Sequence, residues 1–214
     1  MTHGTDPSPW QIQKTCDIAT VEQADEIERM VAESAHQALR ALRRCEHAEE
    51  SLSLLWKLKS GLGGLDPIDP KRPLNFIEQL NQSFTYLASA RAAKWLLQHH
   101  PELGPFSVNL GTMKGRDIYS KADPTKLHGE VFAAANVTNN QKLKRDIAYL
   151  KKNGSELQYA FFMAPQHVEG RQPALEARFS SEGVRIVALR APEWTATPPG
   201  LAEVRSGRES AAST

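Results

Sequence analysis

Leu127–Val137, LHGEVFAAANV, sets a single carboxylate, Glu130, among Val131, Phe132, Ala133, Ala134 and Ala135, and reads as a buried β-strand. A buried acid inside a strand is costly unless it is paired or holds a cation, so Glu130 marks both a strand and a candidate site. Upstream, Phe106–Leu110 alternates like a strand, Gly111–Gly115 is a turn, Arg116–Tyr119 is a short second strand, and Lys121–Thr125 with Pro124 is another turn. Asp117 opens that second strand, and twelve residues lie between it and Glu130. If the two strands pair as a hairpin, both carboxylates point to one face and converge, which suits a hard divalent cation such as Mg2+ or Mn2+. Taken alone, Glu130 is as well explained by a structural ion pair.

Downstream, Asn139 and Asn140 cap a basic amphipathic helix that runs to about Lys152, with Leu143, Ile147 and Leu150 as its apolar face. Asn153-Gly154 closes it. Leu157–Ala164 is apolar enough for a central buried strand, Gln172–Ser181 reads as a helix, and Val184–Leu189 as a last strand. On the N-terminal side, Leu74 to about His99 carries Ile77, Leu80, Phe84, Leu87, Ala88 and Trp95 on one helical stripe, and Pro101 stops it. The order helix, three strands, helix, strand, helix, strand implies an α/β sandwich: a three-strand meander, then strands joined by crossover helices.

Residues 1–19 hold prolines and no apolar period and read as a flexible lead. Thr20 with Gln23 is a capping-box pattern that opens a helical stretch to residue 60, weakest near Glu49 and stopped by Gly61, Gly63 and Gly64. This 20–64 extension is either an arm through which two copies dimerise or a helix packed on its own domain. Leu65–Pro73 is a proline-punctuated linker, residues 65–191 hold the α/β domain, and 192–214 is rich in Pro, Ser, Thr, Ala and Arg, as expected of a disordered tail.

The chain has 214 residues, 40% hydrophobic and 24% charged, which bounds it to one domain with an appendage. Its longest apolar run, Tyr159–Pro165, is far short of the ~20 residues a membrane span needs, and the Asp6-Pro7 region is not patterned as a signal peptide. Cys16 and Cys45 form no C-x-x-C pair, which excludes a disulfide framework and a thiolate zinc site; a cytoplasmic protein is the reading. The net charge of +1 hides a gradient, since residues 105–152 carry nine basic and four acidic side chains. That excess surrounds the candidate site and can steer a polyanion; it is equally a solvated face. P-loop, Rossmann and nucleophile-elbow motifs are absent from the sequence. His128 shares a strand face with Glu130, where it either reaches the site or serves as a hydrogen-bonded structural histidine.

The helix bearing Glu78, the Gly-Arg-Asp-Ile at 115–118, the Gly-Glu-Val-Phe at 129–132 and the basic helix beginning at Asn139 together resemble the PD-(D/E)XK nuclease superfamily over residues 74–190. The resemblance implies a restriction-endonuclease-like, three-layer αβββαβ core. It implies that Asp117 and Glu130 are the paired metal-binding carboxylates and Glu78 the acid of the first core helix. The family places a Lys two residues after the second acid; here that position is Phe132, and Lys142 on the following helix is the best-placed substitute. By this resemblance the expected activity is Mg2+- or Mn2+-dependent hydrolysis of phosphodiesters in nucleic acid, DNA being the first candidate, as in a restriction- or defence-type endonuclease. Lys114, Arg116, Lys121, Lys126, Lys144 and Arg145 would contact the backbone. The alternative is an inactive module of the same fold that binds nucleic acid or a partner protein.

Overall fold

The computed structural model describes residues 14–45, 51–61, 63–111, 115–138 and 141–192. In chain order the elements are β1 (Thr15–Ile18), α1 (Val21–Cys45), α2 (Ser51–Ser60), β2 (Gly64–Leu65), β3 (Pro73–Leu74), α3 (Phe76–His99), β4 (Phe106–Asn109), β5 (Ile118–Ser120), β6 (Leu127–Ala133), α4 (Lys142–Asn153), β7 (Leu157–Met163), β8 (Gly170–Arg171), α5 (Pro173–Arg178) and β9 (Val184–Leu189). Seven strands form one mixed sheet in the order β1-β4-β5-β6-β7-β9-β8. Its first half is an antiparallel meander, whereas β6, β7 and β9 run parallel because α4 and α5 carry the chain back across one face.

Strand alternation sorts the side chains into two cores. Leu127, Val131, Tyr159, Phe161, Met163, Val187 and Leu189 pack with α1 and α3 on one face. Phe132, Ala160, Phe162, Ile186 and Ala188 pack under Leu143, Ile147 and Leu150 of α4 on the other. Each fully buried side chain of this size contributes roughly 1.5–3 kcal/mol.

The N-terminal third departs from expectation. Residues 15–18, expected in the flexible lead, instead form an edge strand antiparallel to β4, with Ile18 buried opposite Phe106. Four residues are too few to show a hydrophobic period, yet their ladder satisfies the open edge of β4. Residues 1–13 and 193–214, which complete the expected lead and tail, lie outside the described residues. The Thr20–Gln23 capping box forms, with Gln23 Oε1 accepting from Ala19 N at 2.7 Å and Thr20 Oγ1 accepting from Gln23 N at 3.3 Å.

α1 is not a separate extension. It lies along α3, buries Ala24, Val31 and Ala38, and is tied by ion pairs from Arg91 to Glu28 (2.8 Å) and Lys94 to Asp25 (2.5 Å). Its Ala24, Val31 and Ala38 are buried as α1 packs along α3, the second of the two arrangements open to it, while Leu39 stays exposed. α2 follows after residues 46–50, buries no residue, and exposes Leu52, Leu55 and Trp56. The linker closes as the β2–β3 ladder, and buried Asp66 holds it to Lys14 (2.6 Å), Arg72 (3.2 Å) and the Tyr86 hydroxyl of α3 (3.1 Å). Among the described residues no helix is long and apolar enough to cross a membrane.

Candidate active site

Asp117 and Glu130 meet because β5 and β6 pair with Ile118 opposite Gly129 and Tyr119 opposite His128. Continuing that register by one residue sets Asp117 opposite Glu130, on the face covered by α4. The close approach depends on Gly129, where a Cβ would lie 2.6 Å from Ile118 Cγ2 and 3.1 Å from the Phe161 ring. Asp117 is anchored at both ends: its Oδ2 accepts from Val131 N at 2.9 Å, and its carbonyl accepts from Asn109 N at 2.8 Å. Glu130 is 6% exposed, and its Oε1 lies 2.8 Å from Nε2 of the fully buried His128. The Asp117 and Glu130 carboxyls are near enough for each to act on the proton affinity of the other.

α4 brings two further groups over the pair. Lys142, in its first turn, lies 2.6 Å from Asp146 Oδ1 and 6.0 Å from the centre of the Phe132 ring. Asp146 is buried, and its Oδ2 has no hydrogen-bond partner. Sequence reasoning missed Asp146, though a signal existed. Positions 143, 146, 147 and 150 form one i, i+3, i+4, i+7 stripe, so an acid at 146 shares the inward face with Leu143, Ile147 and Leu150.

Two buried carboxyls, Glu130 and Asp146, and the half-buried Asp117 lie close to the Lys142 ammonium, and their protonation reflects it. Burial, then the Glu130 charge, pushes Asp117 up to about 7. Burial, then the Asp146 charge, pushes Glu130 up to about 7. Asp146 rises to about 6, because burial outweighs its hydrogen bond with Lys142. Burial, then the Arg116 charge, lowers His128 to about 4, so its imidazole is neutral near pH 7. With Glu130 ionised, His128 donates through Nε2–H, which leaves Nδ1 as a buried acceptor without a partner.

These shifts give stability a direction with pH. Each of the three acids binds its proton more tightly folded than unfolded, so its contribution is full at acid pH and is lost as pH rises through 6 to 7. His128 opposes this, since its depressed value adds stability as pH rises from about 4 to 6.5. Three acids outweigh one histidine. The melting temperature of the metal-free protein in chelator should therefore fall between pH 5 and pH 7.5, and added Mg2+ should recover it at the upper end. A flat or rising profile would contradict the crowding.

The other expected residues lie elsewhere. Glu78 is not in the cluster: it sits in the first turn of α3, where its carboxylate accepts from Asn75 N at 3.1 Å in a reciprocal capping box. Arg116 donates to the Pro124 carbonyl and acts electrostatically on His128, which puts it beside the site. Lys121 and Lys126 are paired with Asp17 and Glu156, each at 2.6 Å. Lys144 and Arg145 lie on the exposed side of α4, and the Arg145 charge is felt at Asp146. Lys114, Asn139 and Asn140 lie outside the described residues; Gln141, in a left-handed conformation, immediately precedes α4.

No protein-family model, curated protein or solved structure matches this chain.

Proposed function

We propose that the protein is a divalent-cation-dependent nuclease that hydrolyses phosphodiester bonds in nucleic acid, DNA first, within the cytoplasm. One observation carries this reading. Two carboxyls from neighbouring strands face each other across the β5–β6 ladder, and the Lys142 ammonium lies close enough to lower the proton affinity of both. The run α3-β4-β5-β6-α4-β7 has the αβββαβ order of a restriction-endonuclease-like core, which supports the PD-(D/E)XK reading.

The residues suit Mg2+. The donors are hard carboxylate oxygens, and burial first, then a neighbouring acid, raises the proton affinity of both, a cost that a bound cation would offset. Among the described residues no three His, Cys, Asp or Glu are already gathered to hold a metal ion. Mg2+ does not need such a cage, since it is commonly held by one or two carboxylates with water and substrate phosphate filling the rest. Asp117 and Glu130 would hold it. When bound, it supplies charge neutralisation at the phosphoryl group and a water of lowered pKa.

The chain's own groups do the rest. The Val131 amide and the His128 imidazole fix the two carboxylates before substrate arrives. The Lys142 ammonium would offset the negative charge that builds on the phosphoryl oxygens. Arg116, Lys144 and Arg145 would contact the nucleic-acid backbone, and Lys121 and Lys126 would have to share their carboxylate partners with it.

A catalytically silent binding module is the second reading. Phe132 favours it, because the family's Lys position is occupied by a ring buried against Phe162 at 6.1 Å. Incubating the full chain with plasmid and linear DNA in Mg2+, Mn2+ or chelator tests both. Cleavage dependent on the cation is expected; retention of DNA without cleavage would select the second reading, and neither would sink both.

A further inference from the structure

Resting on the metal-dependent reading above, we infer that Asp146 is a third oxygen donor for the divalent cation, supplied by α4 in place of an acid on the first core helix. The Asp146 side chain is 6% exposed, yet only one of its oxygens is satisfied. Oδ1 holds the Lys142 ammonium at 2.6 Å, whereas Oδ2 is buried without a hydrogen-bond partner. A buried carboxylate oxygen left unpaired costs more than an ordinary hydrogen bond returns, and the partner that repairs it is a cation or a proton.

Position supports the cation. Asp146 lies on the inward stripe of α4, between Leu143 and Ile147, over the sheet face that carries Glu130 and His128. Lys142 lies over the Phe132 ring and Tyr149 meets the His128 ring edge-on at 5.6 Å, so Asp146, between them on the same side of α4, sits over Glu130, on which its charge acts. Glu78, the acid the family pattern would use, is occupied in its capping box. The ammonium now on Asp146 belongs to a side chain 39% exposed, one helical turn away. Lys142 can swing toward solvent or substrate when the ion arrives, so a set of donors not yet gathered is completed on binding. The ligand class follows from the donors: a hard divalent cation with oxygen preference, Mg2+ or Mn2+, in place of zinc.

The opposing account is that Asp146 does nothing but hold Lys142. Titration calorimetry of the full chain with Mn2+ and with Mg2+, in parallel with melting curves with and without the ion, separates the two. Asp146→Asn should weaken cation binding at least tenfold and shrink the ion-induced rise in melting temperature. Its metal-free melting temperature should match or exceed that of the wild type, since a repelled buried charge is gone. Lys142→Met should bind the cation as tightly as the wild type or more so, because a competitor has been removed, and Glu78→Gln should change nothing. Asp146→Ser takes the place of the Asn variant should that one fail to fold. Undiminished binding by the Asp146 variant overturns the inference alone, as does an equal loss in Lys142→Met, which would show Asp146 acting only through the lysine. A wild type that binds neither ion overturns the metal reading of the whole site.

Discussion

Glu130→Gln is expected to abolish cation-dependent cleavage, by about a thousandfold or more, while raising the melting temperature of the metal-free protein at pH 7.5. The two halves have one cause. Glu130 is a buried acid whose ionisation is opposed by burial and by the Asp146 charge, so near neutrality it costs the fold free energy. Glutamine keeps the shape and an oxygen for the His128 Nε2–H but carries no charge, which relieves that cost by on the order of 1–3 kcal/mol. The same change would remove an anionic donor to the ion, and losing about 4 kcal/mol of transition-state stabilisation is about three powers of ten in rate. Asp117→Asn should behave alike, because an amide oxygen can still accept from Val131 N. Activity is read on DNA with Mg2+, stability by melting in chelator. A variant that still cuts removes Glu130 from the site. One that loses activity only by melting several degrees lower shows a structural acid.

That trade between stability and charge explains why part of the candidate site was legible in the sequence. Glu130 stood out because an acid among Val131, Phe132 and three alanines breaks a local rule, and rules break where function compensates. Asp117 followed from the hairpin, since a period of two makes face-sharing a matter of counting. Glu78 misled because an acid at the third position of a helix serves a cap as readily as a metal; Asn75 three residues earlier was the sign of a cap. Asp146 was hidden by its neighbours, an acid in a basic helix reading as surface until its place beside Leu143 and Ile147 is counted. The fate of α1 could not be read at all. Ala24, Val31 and Ala38 make the same stripe whether they meet α3 or a second copy, and only the three-dimensional packing decides.

Gly129→Ala tests whether geometry, rather than chemistry alone, makes the pair. Among the described residues β5 and β6 share only the Ile118–Gly129 and Tyr119–His128 partners before Asp117 and Glu130 face each other. A methyl at 129 would meet Ile118 Cγ2 at 2.6 Å and the Phe161 ring at 3.1 Å, both fully buried, so neither can turn away. The strands must part or Phe161 must shift, at a cost of roughly 1–3 kcal/mol and several degrees of melting temperature. Parting the ladder here moves Asp117 relative to Glu130, and a displacement of about 1 Å at a reacting centre costs on the order of a hundredfold in rate. Ile118→Ala alone removes the obstructing methyl but opens a cavity, costing about 2–5 kcal/mol. Combined, the two substitutions fill and vacate the same space, so their destabilisation should fall short of additive by about 1 kcal/mol or more, and cleavage should return toward the Ile118→Ala level. Strict additivity, or a Gly129→Ala protein as stable and active as the wild type, would mean that the absence of a side chain at 129 does not set the spacing of the two acids.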